Sequence, residues 1–376
     1  MTWAPNSLDM AETTSGVRDT SDKKTTGVRG KIFGSNFWIR LTNWEYWPFY
    51  ILYIPVFLYW ASLILRARSV FFFSAANPSI ENGGMLGESK IKILDIIAPE
   101  LKPKTIYFEP RVTKTQLLTT LRANRIGFPL ILKPDIGERG SFVEKIKDEE
   151  DLDHYLSQIK IPFLAQEYID YPIEMGVFYY RFPSATKGRV SSIVLKKMLK
   201  VVGDGQKTVR ELILSNPRAK LQLSALEKSF GNGLECVLAR GEEKELEAIG
   251  NHCRGTAFLN GNHLINDRLN DVFDKISKSI PGFYFGRYDL RCSSIDALYQ
   301  GNGIKIMELN GAGSEPGHIY HPGTSILTAY RDIFHHLKVL LKISRENHRL
   351  GVPYMTFREG IAEIKKLRAY NKLKNA

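Results

Sequence analysis

Apolar and polar positions divide the chain into stretches of different rhythm. Residues 1 to about 34 are polar, rich in Ser, Thr, Gly, Asp and Lys, and without periodicity, which predicts a disordered tail. The run 47–65 then holds nineteen residues without a charge, near the roughly 20 needed to span a bilayer. Trp44, Trp47, Tyr59 and Trp60 supply interfacial aromatics, and Arg66 and Arg68 a basic flank. Pro55 divides the run and predicts a kink in any helix there. Three arrangements fit: a shallow hairpin or interfacial helix pair, a true span, or a helix buried in a core or dimer interface. The first is favoured, because so long an aromatic run is expected to avoid water.

Further along, 70–76 (Val-Phe-Phe-Phe-Ser-Ala-Ala) predicts a buried strand ended by Asn77 and Pro78. Strand patterns follow at 105–108, 128–133, 163–169, 174–181 and 191–199. Helical patterns occupy 89–97, 114–124 and 267–279, and another begins near Thr208. The stretch 354–374 predicts a basic amphipathic helix that lies on the protein or on anionic lipid. No internal repeat and no signal-peptide pattern is expected from the sequence. Mixed strands and helices with hairpin-like returns predict an α+β architecture in lobes rather than one doubly wound sheet.

Composition changes this picture in two ways. With 376 residues, 43% of them hydrophobic and 24% charged, the chain suffices for two or three packed lobes. Its net charge of +12 favours an anionic partner such as nucleotide phosphate or an acidic membrane surface. That charge is dispersed and accompanied by no nucleic-acid-binding motif, so nucleic acid is not an expected partner. The three cysteines, Cys236, Cys253 and Cys292, lack metal-type spacing and suit a reducing compartment.

The candidate chemistry falls in two stretches, one near 133–141 and one near 286–310. Asp289 ends the run 286–289, and Glu308 and Asn310, two apart, share one face of a strand over 304–310. Three oxygen ligands converging this way suit Mg²⁺ with substrate phosphate. Lys133 closes an apolar strand and precedes a loop with Gly137, Gly140 and Ser141, whose backbone amides and hydroxyl suit an anion. Alone, each has a plain alternative, a solvated strand end or a common turn. No Walker-type loop or Gly-x-Gly-x-x-Gly between strand and helix occurs, which disfavours P-loop and Rossmann sites. A Ser-His-Asp or Cys-His arrangement is not recognisable either.

The ordered set Lys90, Lys133, glycine loop, Gln166-Glu167-Tyr168-Ile169, Glu174, Arg287-x-Asp289 and Glu308-x-Asn310 resembles the ATP-grasp superfamily, in particular its D-alanine–D-alanine ligase-like branch. The resemblance covers about 85–330, and 201–209 is similar to a loop of cyanophycin synthetase-like ligases. It implies two lobes gripping ATP, with Lys90 and Lys133 on the α/β phosphates and the loop 137–141 over the β/γ phosphates. Glu167, or Gln166 in the shifted register, would meet adenine, Tyr168 and Ile169 would offer hinge backbone, and Glu174 would hold the ribose. Asp289, Glu308 and Asn310 would bind Mg²⁺, with Arg287 and Lys196 (or Lys197) facing the transferring phosphoryl group.

The implied plan is a polar tail over 1–34, a membrane-associating segment over 35–68, a shortened leading subdomain over 69–110, the ATP-grasp domain over 111–345 and the basic helix over 346–376. The implied reaction is Mg-ATP-dependent ligation of a carboxylate to an amine (or thiol) through an acyl phosphate. It would run on the cytoplasmic face of a membrane, with a lipid-linked or cell-envelope substrate. A phosphotransferase with a stable phosphorylated product and a non-catalytic ATP-binding membrane scaffold are the alternatives. A homodimer is compatible with the apolar segment. The loop 311–321 is longer and more polar than in dipeptide ligases, so Ser314, Glu315, His318 and His321 are expected to shape the acceptor site.

Overall fold

The computed structural model describes residues 36–137, 140–247, 250 and 252–375, so the expected tail over 1–34 and Glu138 and Arg139 of the glycine loop lie outside the described residues. The chain forms two compact units, 1–46 and 47–376. The described part of the first holds a short helix, Asn36–Thr42, and a 3₁₀ turn, Trp44–Tyr46.

Two antiparallel sheets organise the second unit, 47–376. The first contains β1 (Thr105–Phe108), β2 (Leu130–Pro134), β3 (Glu144–Ile146) and β4 (Phe163–Glu167) in the order β1-β4-β2-β3. Helices Lys114–Ala123 and Glu149–Gln158 close its core, burying Leu117, Leu121, Leu152 and Tyr155 against Leu130, Leu132 and Phe163. Local chemistry starts both helices. Thr113 and Gln116 form a reciprocal capping box, and the Asp148 carboxylate accepts from the amides of Glu150 and Asp151.

The second sheet contains β5 (Ile173–Tyr180), β6 (Arg189–Lys197), β9 (Ala257–Asn260), β10 (Phe285–Cys292) and β11 (Ile304–Asn310), ordered β11-β10-β5-β6-β9. Alternation along the strands divides its faces. Met175, Val177, Ile193, Tyr288, Leu290 and Ile306 pack into one core with the helix Asp267–Ser279. Glu174, Gly176, Ser192, Lys196, Arg287, Asp289 and Arg291 take alternate positions, on the other face. Between β6 and β9 the chain makes a small module with its own core. There β7 (Lys200–Val202) pairs with β8 (Glu243–Glu245), and Val209, Ile213, Leu226 and Leu234 are buried.

The predicted α+β lobes agree with this architecture, but two other expectations need correction. The Phe71-Phe72-Phe73 run is not a strand. It enters a 3₁₀ turn, Phe72–Ala75, because the long helix Ile326–Arg349 buries all three rings, and the Asn347 amide donates to the carbonyls of Ala75 and Ala76 at 2.8 and 3.2 Å. Nor does 47–65 form a span. Among the described residues no helix is long and apolar enough to cross a membrane. The run divides into Phe49–Leu52 and Ile54–Ala67, and Pro55 stands in the first turn of the second helix, where a missing amide costs little, so it starts the helix instead of kinking it.

One side of that second helix packs inward, with Leu63 fully buried and Trp60 against Phe72 at 4.9 Å between ring centroids. The C-terminal helix, Phe357–Asn375, lies on the protein along part of its length. Its Ile364 meets the cluster around Phe72, while Tyr370 packs on the core of the first sheet. It therefore bridges the two lobes.

Candidate active site

β4 runs directly into β5, so Tyr168 and Ile169 link the two sheets. On the far side of this link, three rows of residues cross the second sheet. Lys196 on β6, Glu174 on β5 and Arg291 on β10 form the first. The second is Val194, Gly176, Asp289 and Glu308, and the third Ser192, Phe178, Arg287 and Asn310. Asp289 and Glu308 thus sit directly opposite on neighbouring strands, beside a bulge at Met307 of β11. Gly176 leaves the room the row needs. A Cβ there would stand 2.8 Å from Val194 Cγ1 and 3.1 Å from Asp289 Oδ1.

Cations surround these acids. Arg287 donates to both Asp289 oxygens, Nε to Oδ1 at 2.9 Å and Nη2 to Oδ2 at 3.0 Å, while Lys196 Nζ stands 3.9 Å from Oδ1. Burial works to raise the Asp289 pKa, but Arg287 and Lys196 outweigh it and hold the carboxyl below the usual range. Burial likewise works to lower that of Lys196, yet Asp289 and Glu174 keep it above the ordinary lysine value. Glu174 receives Lys196 at 3.2 Å and Arg291 Nε at 3.0 Å. Lys197 points outward and is exposed, so of the two lysines weighed from the sequence it is Lys196 that faces the acids.

Two further lysines come from outside the second sheet, one on a helix and one on β2. Lys90, at the start of the helix Lys90–Asp95, donates to the Gly137 carbonyl at 2.6 Å and lies 3.5 Å from Glu308. Lys133 Nζ donates to Gln166 Oε1 and to the Met307 carbonyl, each at 3.0 Å. Burial lowers its pKa to about 8, with Glu308 opposing and Lys90 reinforcing the shift. These two side chains connect the glycine-loop root to β11, so the predicted phosphate lysines and predicted metal acids share one cluster. Gly140 and Ser141 are partly buried in the turn before β3.

At the link between the sheets the side chains alternate in their partners. Gln166 is buried, and both ends of its amide are used, accepting from Lys133 and donating to Thr105 Oγ1 at 3.0 Å. Glu167 reaches the Lys104 amide instead, at 3.2 Å. The Ile169 carbonyl accepts from Arg291 Nη1 at 2.8 Å, and the Tyr168 ring lies under Lys145, 3.8 Å from its Nζ. Gly250 covers the other side of Glu174, so close that an added Cβ would collide with the carboxylate.

The set fits a divalent cation in part. Two carboxylates and an amide lie together, yet Arg287 and Lys90 already supply positive charge there, and the Asn310 amide nitrogen donates to Asp289 Oδ2 at 3.2 Å. Among the described residues no group of three His, Cys, Asp or Glu side chains is arranged for a metal. Asn310 would need to present its carbonyl oxygen, a simple amide rotation, to join the two acids as a ligand.

Sequence reasoning missed several members. Arg291 carried a signal, since it follows Asp289 by two and must share its face. Others carried none. Ser192, His318 and Asp332 do form a hydrogen-bonded series, contrary to expectation, with Ser192 Oγ 2.7 Å from His318 Nδ1 and His318 Nε2 3.0 Å from Asp332. Ser192 is only 1% exposed, so the series pins the loop after β11 onto β6. Burial lowers the His318 pKa despite Asp332, which keeps the ring neutral near pH 7. His321 accepts from the Asn260 amide at 3.2 Å, a loop contact rather than part of a metal pair. Ser314 turns back onto the Gly311 carbonyl at 2.6 Å.

No family model matches the chain, and no curated protein matches it. Among solved structures it is similar to a bifunctional glutathione synthetase from Pasteurella multocida, at 15% identity and a TM-score of 0.36 over 65% of this chain. It is also similar to a D-alanine–D-alanine ligase from Bacillus anthracis (14% identity, TM-score 0.38, 70% of this chain). A third similar structure is the VanG D-Ala:D-Ser ligase from Enterococcus faecalis (13% identity, TM-score 0.38, 70% of this chain). The chain spans 36% of the length of the first of these and 69% and 61% of the other two. D-alanine–D-alanine ligases, the branch that the ordered motifs resemble, are thus among the solved structures similar to this chain.

Proposed function

We propose that this chain is an ATP-grasp enzyme that uses Mg-ATP to join a carboxylate to an amine (or thiol) through an acyl phosphate, at the cytoplasmic face of a membrane. The observation that carries the reading is the cluster around Asp289 and Glu308. Lys90 from a helix and Lys196 and Arg287 from the second sheet converge on two paired carboxylates, and Lys133 from the first sheet joins them through the Met307 carbonyl beside Glu308. Phosphoryl transfer asks a protein mainly for positioning and charge screening, and this cluster supplies both without a protein nucleophile.

In this reading adenine lies at Glu167–Ile169, the ribose near Glu174, and the phosphates run along Lys90, Lys133 and the turn at Gly137, Gly140 and Ser141. Asp289, Glu308 and Asn310 would hold Mg²⁺, which when bound neutralises phosphate charge. Lys196 and Arg287 would then be released from part of their present pairing to meet the transferring group. The substrate carboxylate attacks the γ-phosphorus, ADP departs, and the amine displaces phosphate from the acyl carbon. Membrane contact is supported by the outer side of 49–67, where Tyr50, Ile51, Ile54, Phe57, Leu58 and Leu65 are all more than half exposed. A substrate drawn from the lipid or envelope pool fits that location.

The test is ADP release with Mg-ATP, a panel of L- and D-amino acids and short dicarboxylic acids, and hydroxylamine as the amine. A hydroxamate from one acid is expected, and Asp289→Asn or Glu308→Gln should lower its formation by about 100-fold or more. A stable phosphorylated acid with no hydroxamate would overturn the ligase in favour of phosphotransfer. Unchanged activity in both variants would remove the site assignment.

A further inference from the structure

Behind Arg287 stands an acid that the reaction above does not use. Glu315 is partly buried in the loop after β11, and among the described residues its carboxylate has no cationic partner. One oxygen accepts from the Tyr53 hydroxyl and the other from the Tyr320 hydroxyl, the latter at 2.9 Å. The two hydroxyls are 3.5 Å apart. Arg287 is turned to Asp289 and meets Glu315 at its backbone carbonyl, at 3.2 Å. A carboxylate held this way repels phosphate and carboxylate substrates and attracts an ammonium group.

We propose that Glu315 binds the ammonium form of the incoming amine and takes its proton, with Tyr53 and Tyr320 orienting the carboxylate. The inference rests on the ligase reading and assigns its acceptor side. The proton moves from the ammonium nitrogen to a Glu315 oxygen, and the freed lone pair forms the C–N bond at the acyl carbon. The C–O bond to phosphate breaks, phosphate leaves with that electron pair, and the surplus proton on the new amide nitrogen goes to the phosphate. Each Glu315 oxygen keeps a lone pair beyond the one its tyrosine uses, so the carboxylate has room for the proton. Burial also pushes the carboxyl pKa up to about 7, where a proton acceptor works near neutrality. The titratable groups facing it are Tyr53, Tyr320 and the Arg287 guanidinium, with the His252 ring beyond Tyr320 at 5.3 Å.

Two small amines separate this role from a structural one. Hydroxylamine is neutral at pH 7 and needs no base, whereas methylamine is an ammonium ion. With the acid selected in the hydroxamate screen, Glu315→Gln should keep hydroxylamine turnover within about threefold of the parent. Its turnover with methylamine, or with the fastest primary amine of a panel, should fall about 100-fold at pH 7 and recover as pH rises. Tyr320→Phe keeps the carboxylate and should show the same selectivity at about tenfold, so the test survives if the glutamine variant does not fold. Equal losses with both amines, or no loss with the ammonium substrate, would overturn the proposal. If the parent forms no hydroxamate with any acid, the ligase reading fails and this role goes with it.

Discussion

Lys133 shows how much one buried side chain can report. Its pKa falls from the ordinary 10.5 to about 8, a difference of about 3 kcal/mol between the folded and unfolded chain. The sign follows from proton counting. Between about 8 and 10.5 the unfolded chain binds more protons at this site, so stability should rise with pH across that window and the penalty should be full below it. In Lys133→Met this rise should disappear, as measured by urea unfolding midpoints at pH 7.5 and 10. That Lys133, Asp289 and Glu308 lie in one cluster was legible, because their order along the chain sets them together. Tyr53 was not, because its partner Glu315 lies 262 residues away and no local pattern encodes that meeting. Asp332 was hidden for a similar reason, as an ordinary helix-face acid until β6 and the long helix are brought together.

At the level of elements, strands and capped helices were readable because their signals are local. The 105–108 strand was located to the residue, and the helix at 208 was announced by Thr208, which caps it with Glu211. Phe71 to Phe73 misled because three consecutive apolar rings suit a buried strand and a buried 3₁₀ turn equally, and only the neighbouring helix decides. The C-terminal helix was legible as a helix, but its bridging position was not. Tyr370→Ala should cost about 1–3 kcal/mol by stripping that helix from the first sheet's core. A thermal unfolding scan checks it, and an unchanged midpoint would mean the helix contributes little to holding the lobes.

For the whole molecule, the apolar run acts in two directions. Leu63 and Trp60 join the interior while Ile54, Phe57 and Leu58 face out, so a single uncharged stretch is half core and half surface. Hydropathy alone could not divide it, since both halves look the same in sequence. Sedimentation with phosphatidylglycerol vesicles should carry the parent protein down, and Phe57→Glu with Leu58→Glu should cut the bound fraction at least tenfold. Parent protein that stays in the supernatant would argue against membrane contact and leave self-association as the reason for the exposed face.

The bridging helix also has a practical side. Its last turn carries Lys374, whose ammonium stands 3.8 Å from where a side chain at Gly137 would begin. Bulk attached at Lys374 therefore sits at the doorway of the glycine turn. A bulky label on Lys374→Cys should slow ATP-dependent turnover several-fold, while the same label on Arg358→Cys, at the other end of the helix, should not.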